Sequence, residues 1–317
     1  MKTKKRISII VPCFNEEENI EEMYKRVVRV FKNIKAYGFE IIYVDNASGD
    51  KSEKIYEKLA TNDTRVKIIL MSRNFGTPQS SFVAGMEYCH GDAAVLLHGD
   101  IQDPPELIPA YIKRWEEGYD VVYGIRKSRK GYNVLWNILY KGFYYVLNKF
   151  SYIQIPLNAG EFSLIDRKVI TELLAIDEYD YYLRCLRAYV GFRQIGIPYV
   201  RDARAHGRSN ENLKSSLWWA KTILINFSFK PLAWISTIAL IVTIFAFSLV
   251  VFDIIAFTIN NTALRGVPTI VILILFLGGV QLLSISIIAE YLAKIFLEVK
   301  HRPKYIVRKT LNLKRKG

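Results

Sequence analysis

Three short segments of this chain concentrate side chains suited to binding a ligand. They are Pro12-Cys13-Phe14-Asn15-Glu16-Glu17-Glu18, Asp45-Asn46-Ala47-Ser48-Gly49-Asp50 and His98-Gly99-Asp100-Ile101-Gln102-Asp103-Pro104-Pro105-Glu106. A single acidic turn is ordinarily a helix cap. Three of them, each directly behind an apolar run, mark one edge of a sheet as a site. Carboxylates beside a diphosphate make chemical sense if they hold a hard cation, which takes one or two carboxylates plus substrate phosphates. Asp100, with Gln102 nearby, is the candidate for that role, with Mg²⁺ or Mn²⁺ as the ion. Asp45 is a candidate acceptor for a base or ribose. Glu16 and Glu18 suit the dipole of a helix N-terminus better than a ligand. Neither GxGxxG after the first apolar run nor GxxxxGK[ST] occurs, so dinucleotide and P-loop readings lose their main support.

The elements that must position these residues alternate. Short β-branched runs lie at 7–11, 40–44, 66–70, 93–97 and 120–124, with helical stretches near 17–37, 51–60, 79–89 and 105–117. Strand–helix alternation predicts an α/β fold with a largely parallel, doubly wound sheet. Residues 126–212 show no composition break, so the domain is expected to span 1–212. Cys13, Cys89 and Cys185 are odd in number and spaced for neither a disulfide framework nor a zinc site.

The apolar residues are concentrated near the C-terminus. Residues 232–259 carry one charge, Asp253, and 267–289 carry none. As a helix the second run reaches about 34 Å, enough to cross a bilayer core of about 30 Å. Seven residues, Asn260–Gly266, join the two, which predicts a transmembrane hairpin over 231–299. Only Arg265 lies in that joint, whereas 300–317 is rich in Lys and Arg. The positive-inside rule then puts both flanks in the cytoplasm, and 300–317 reads as a basic cytoplasmic tail. Residues 213–230 read as an amphipathic juxtamembrane helix, with Trp218, Trp219 and Phe227 beside Lys214, Lys221 and Lys230; 132–150 has a similar character. The net charge of +14 fits anionic lipid and phosphorylated substrates better than nucleic acid.

Several segments together resemble a known family. VPCFNEEENI, YVDNASGD, SRNFG, HGDIQDPPELI, EGYDVVYGIRKSR, NAGEFSLIDRKV and YVGFRQIGIPY resemble family 2 glycosyltransferases of GT-A fold. They look most like the polyprenyl-phosphate type, typified by bactoprenol glucosyltransferase and dolichol-phosphate mannose synthase. The resemblance covers nearly the whole chain, hairpin included. It implies an inverting transfer of one hexose from a nucleotide sugar, UDP-linked by expectation, to a polyprenyl phosphate at the cytoplasmic face of a bacterial inner membrane. Family members of this type can also form homo-oligomers through juxtamembrane helices.

By that resemblance Pro12, Asn15, Glu17 and Asp45 line the nucleotide pocket, with Arg73 and Asn74 beside it. Asp100 and Gln102 match the metal-binding end of a DxD-like motif. Arg126 and Arg129 match a basic loop near the phosphates, the alternative being solvated surface charge. Arg204 and Ser209 match a later acceptor-side segment. There are departures. His98 stands where the motif has its first Asp; imidazole suits Mn²⁺ better than Mg²⁺. The family's DAGDF reads Asn158-Ala159-Gly160-Glu161-Phe162 here, leaving Glu161 as the candidate catalytic carboxylate. Two rivals stay open. A processive polysaccharide synthase normally carries Q-x-x-R-W after the metal site, whereas Tyr111-Ile112-Lys113-Arg114-Trp115 lacks the Gln. A non-catalytic sugar-nucleotide-binding membrane scaffold draws on the changes at His98 and Asn158.

Overall fold

The computed structural model describes residues 4–127, 142, 149–151, 153–156, 159–201, 221–260 and 267–313. The chain divides into two compact units. One comprises Met1–Asn148, Ile153–Asn212 and Arg302–Gly317, the other Lys149–Tyr152 and Leu213–His301.

The first unit is built on one sheet. Its strands are β1 (Arg6–Cys13), β2 (Gly38–Asp45), β3 (Val66–Met71), β4 (Ala93–Leu96), β5 (Val121–Arg126), β6 (Ala159–Asp166), β7 (Gln194–Tyr199) and β8 (Val307–Leu311). They lie in the order β7-β5-β6-β4-β1-β2-β3-β8. The helices are α1 (Ile20–Asn33), α2 (Ser52–Asn62), α3 (Pro78–Tyr88), α4 (Ile108–Glu116), α5 (Arg167–Ala175) and α6 (Leu183–Tyr189). Every residue of β1 except Arg6 is buried, as expected of a parallel strand covered on both faces. On one face Ile7, Ile9 and Val11 join Met23 and Val27 of α1 and Ile112 and Trp115 of α4 in a single core. On the other, Ile10 meets α3 at Gly85, where a Cβ would stand 2.2 Å from the Ile10 side chain.

β1–β4 pair in parallel, as the alternation predicts. The other half departs from it. β6 is antiparallel to both β4 and β5, and only β5 and β7 pair in parallel there. The register does the positioning. Cys13 pairs with Asp45 and Asp45 with Leu70, so β1, β2 and β3 end at one edge. Ile10 pairs with Leu96, and Gly99 N–H donates to the Pro12 carbonyl at 3.1 Å, which brings the end of β4 there too. Leu96 pairs with Ser163; continued two residues, that register sets Glu161 opposite His98.

The segment expected as a basic tail, 300–317, contains a strand of the sheet. β8 pairs antiparallel with β3 at the sheet edge. Its basic residues form ion pairs with α2, Arg308 with Glu53 and Lys309 with Glu57, each at 2.7 Å. A strand of only five residues whose middle is charged carries too little apolar alternation to announce itself.

The second unit contains α7 (Lys230–Asn260) and α8 (Val267–Val299). Both are long and apolar enough to cross a membrane, and their apolar side chains are largely exposed. Residues 221–226 are helical. Within this unit Ile223 and Phe227 are buried, Lys221 pairs with Glu290, and Tyr291 donates to the Ser228 carbonyl. Most of 132–150, and the tryptophans at 218 and 219, lie outside the described residues.

Candidate active site

The three polar segments meet at the carboxyl edge of β1, β2 and β4. Each contains a non-glycine residue in the left-handed region: Asn15 (φ 54°), Ala47 (φ 60°) and Ile101 (φ 58°). Such backbone costs about 1–3 kcal/mol per residue and persists where surrounding contacts enforce it. At Asn15 and Ala47 those contacts are hydrogen bonds between and within the two loops. Asn15 N–H donates to Ser48 Oγ at 2.9 Å, and Gly49 N–H to Asn15 Oδ1 at 2.8 Å. Ser48 N–H donates to Asp45 Oδ2 at 2.9 Å. Glu17 closes the turn by accepting from Lys51 N–H. Gly99 is required sterically, since a Cβ there would lie 2.7 Å from Cys13 Sγ and 2.9 Å from the Pro12 carbonyl.

Asp45 is buried. Burial, reinforced by Asp50 and Glu53, pushes its carboxyl above the ordinary range against the pull of the Ser48 hydrogen bonds. Beyond β3, Asn74 Oδ1 accepts from Asn46 Nδ2 at 3.1 Å, and the Arg73 guanidinium lies 4.1 Å from the Phe75 ring centroid. Asn15, Asp45 and Asn74 therefore belong to one bonded group of turns, and Pro12 and Glu17 help to shape it.

Past β4 lies a charged group. Asp100 is buried and accepts from Gln102 N–H at 3.3 Å. Asp103 is wholly buried; its Oδ1 accepts from Tyr199 Oη and, at 3.2 Å, from Arg201 Nε, while Oδ2 has no hydrogen-bond partner among the described residues. Arg201 Nη2 also reaches Asp100 Oδ2 at 3.7 Å. Arg126, the last residue of β5, pairs in register with Tyr199. Burial disfavours its charge, but Asp103, Tyr199 and Glu161 outweigh that and raise its pKa. It is thus a partly buried cation at the sheet edge rather than solvated surface charge. Gly160 leaves room for it, since a Cβ there would lie 3.0 Å from Arg126 Nη2.

His98 stands beside an acid and an aromatic ring. Its Nε2 lies 3.6 Å from Glu161 Oε2, and the Phe82 ring stands edge-on at 5.3 Å. Burial lowers the imidazole pKa, but Glu161, with Asp103 and Asp100, raises it above its ordinary value. Glu161 is also held by Arg184 Nε at 3.1 Å. Against its burial, Arg184, His98 and Arg126 keep its carboxyl well below the usual range. His98 and Glu161, two of the three positions that depart from the resemblance pattern, thus complement each other, cation against anion.

Arg129, Asn158, Arg204 and Ser209 lie outside the described residues. The sequence does not single out Asp103, Tyr199, Arg184 or Arg201 as site residues, although Asp103 lies in the polar segment behind β4 and Tyr199 ends the YVGFRQIGIPY segment. Tyr111-Ile112-Lys113-Arg114-Trp115 falls in α4 with Tyr111, Ile112 and Trp115 in the core, so this run packs a helix. Among the described residues no three His, Cys, Asp or Glu side chains form a metal cage. The donor set at Asp100 fits a hard cation shared with phosphate oxygens and does not fit an all-protein site.

The family model for glycosyl transferase family 2 matches residues 8–174. The chain belongs to this family. Such a chain is a glycosyltransferase, and the mixed sheet just described is its GT-A-like fold. The chain is 38% identical to an uncharacterized glycosyltransferase, YkcC, of Bacillus subtilis (strain 168), over 98% of this chain and 95% of that one. It is 37% identical to the SfII prophage-derived bactoprenol glucosyl transferase of Shigella flexneri, over 96% of this chain and 98% of that one. A prophage bactoprenol glucosyl transferase homolog of Escherichia coli (strain K12) is 35% identical, over 96% and 99%.

Proposed function

We propose that this glycosyltransferase moves one hexose from a nucleotide sugar, UDP-linked, onto a polyprenyl phosphate, with inversion. The observation that carries the reading is the end-to-end similarity, both apolar helices included, to proteins named bactoprenol glucosyl transferase. The hairpin favours a lipid acceptor, because a polyprenyl chain does not leave the bilayer cheaply. Both flanks of the hairpin belong to the sheet unit, which supports placing its two ends on one side of the membrane. The Lys and Arg residues after 299 favour the cytoplasm as that side.

The chemistry needs little proton transfer. A phosphate monoester has a second pKa near 6, so the lipid phosphate is mostly an oxyanion at neutral pH. That oxygen forms a bond to the anomeric carbon as the bond from this carbon to the nucleotide diphosphate breaks, and a single displacement inverts the centre. Asn15, Asp45, Arg73 and Asn74 would hold the nucleotide, shaped by Pro12 and Glu17. Asp100 would share Mg²⁺ or Mn²⁺ with the diphosphate, and the ion supplies charge stabilisation there. Arg126 would offset charge on the departing group, and Arg129, Arg204 and Ser209 would meet the acceptor phosphate. Glu161, held by Arg184 and His98, would orient the sugar instead of acting as a base.

The test is incubation of the full chain with Mg²⁺ or Mn²⁺, undecaprenyl phosphate and a panel of labelled nucleotide sugars. A lipid carrying a single sugar is expected. Long polymer would identify a processive synthase, and tight nucleotide binding without turnover a scaffold.

A further inference from the structure

The carboxylate proposed to share the metal already has a cation beside it. Arg201 spans two acids behind β4, with Nε 3.2 Å from Asp103 Oδ1 and Nη2 3.7 Å from Asp100 Oδ2. The anchor is the deeper of the two. Asp103 is fully buried, and Tyr199 donates to the same oxygen that Arg201 engages. Arg201 itself is only a quarter exposed. A buried acid without a counter-charge is strongly disfavoured, so Arg201 belongs to the resting charge balance of this corner. Nothing in the family resemblance assigned it a role.

That arrangement constrains how a divalent cation can arrive. An ion entering alone at Asp100 must sit against a guanidinium of the same sign and gains only part of one carboxylate. An ion arriving with a diphosphate brings net negative charge, and its phosphate oxygens offer the guanidinium fork a better partner than Asp100 does. Building on the assignment of Asp100 above, we infer that Arg201 is the resident counter-cation of Asp100, released to the nucleoside diphosphate when metal and nucleotide enter together. Asp103 is the positioning residue that keeps it within reach. Metal and nucleotide then bind with positive coupling, which by linkage acts equally in both directions.

The measurement is Mn²⁺ affinity of the detergent-solubilised full chain by electron paramagnetic resonance, without nucleotide and with saturating UDP or GDP, whichever the wild type binds. Arg201→Gln keeps a hydrogen-bonding group near Asp103 and removes the charge. It is expected to bind Mn²⁺ alone more tightly, on the order of tenfold. It is also expected to bind the nucleotide in the presence of Mn²⁺ more weakly, by a similar factor. A structural role would move both affinities the same way. Arg201→Lys retains the charge, so its affinity for Mn²⁺ alone should stay at the wild-type level; if Arg201→Gln does not fold, this variant carries the test. Unchanged or weaker Mn²⁺ binding in Arg201→Gln, or tenfold tighter binding in Arg201→Lys, overturns the inference. Failure here with a wild type that glycosylates undecaprenyl phosphate leaves the proposed activity standing. A wild type that makes no lipid product removes that activity while the Mn²⁺ data still decide the role of Arg201.

Discussion

Leu311 of β8 sits opposite Ile68 of β3 in an antiparallel pair. Ile68 is completely buried, so the far end of the chain protects a residue made some 240 positions earlier. Without β8 the edge of β3 would present unpaired backbone and apolar side chains, a template for intermolecular pairing. A chain ending at His301 should lose about 2–3 kcal/mol of stability, roughly 5–10 °C in Tm, and should aggregate on heating. Differential scanning fluorimetry with light scattering would check this. A truncated chain as stable as the full one would show that 302–317 adds nothing to the sheet.

Glu40 is a second buried hub. It lies in β2, accepts from Ser8 Oγ of β1 and from His90 N–H, and pairs with Lys67 of β3. Burial pushes its pKa up, but Lys67, Ser8 and the His90 amide outweigh burial and leave it below the ordinary value. A depressed carboxyl contributes stability that is present above its unfolded pKa of about 4.3 and is lost as pH falls through the folded value. Glu40→Gln should therefore cost about 3–5 kcal/mol at pH 7, and its deficit against wild type should shrink as pH falls below about 4. Urea melts at pH 7 and pH 3.5 would show it; a constant deficit would contradict the account.

Asp100→Ala should lower kcat by at least about 10²–10³ while the protein remains folded. Chelating divalent cations should reproduce the loss in wild type and add nothing in the variant. Turnover in Asp100→Ala near the wild-type rate would refute the metal assignment.

Gly160→Ala tests the placement of Arg126. The added Cβ would stand 3.0 Å from Arg126 Nη2 and 3.4 Å from its Cζ. The guanidinium must give by a few tenths of an ångström, and since a misplacement of about 1 Å can cost on the order of 10²-fold in rate, a severalfold loss is expected. A fall in kcat without a matching fall in nucleotide affinity is expected, read by steady-state kinetics and isothermal calorimetry. Unaltered kcat would place Arg126 away from the reacting groups.

The part of the fold visible in the sequence is the part made by local pattern. β1 to β5 are short, largely apolar runs buried in the middle of the sheet, broken only by Ser8, Glu40 and Lys67, which bond to one another around Glu40. The polar turns behind them announce the edge where Asn15, Asp45 and Asp100 gather. Long-range pairing was not visible. Nothing in Ala159–Asp166 indicates that it runs antiparallel between β4 and β5, and that placement is what sets Glu161 against His98. Arg201 stands in a basic stretch with Arg204 and Arg208, and its acidic partner Asp103 is 98 residues away. Spacing could not single it out. β8 read as a tail because its charges face α2, and charge on a short segment looks the same whether it meets solvent or glutamate.

The place of β8 in the chain also orders the protein's synthesis. On the ribosome β1 to β7 emerge first, then α7 and α8, and only then the strand that closes β3. The sheet therefore cannot be finished until both apolar helices have been made. Delivery of those helices to a bilayer is a step the nascent chain meets before its catalytic domain is whole. With the proposed lipid acceptor, completion of the sheet would follow delivery of the two helices to the surface where that acceptor resides.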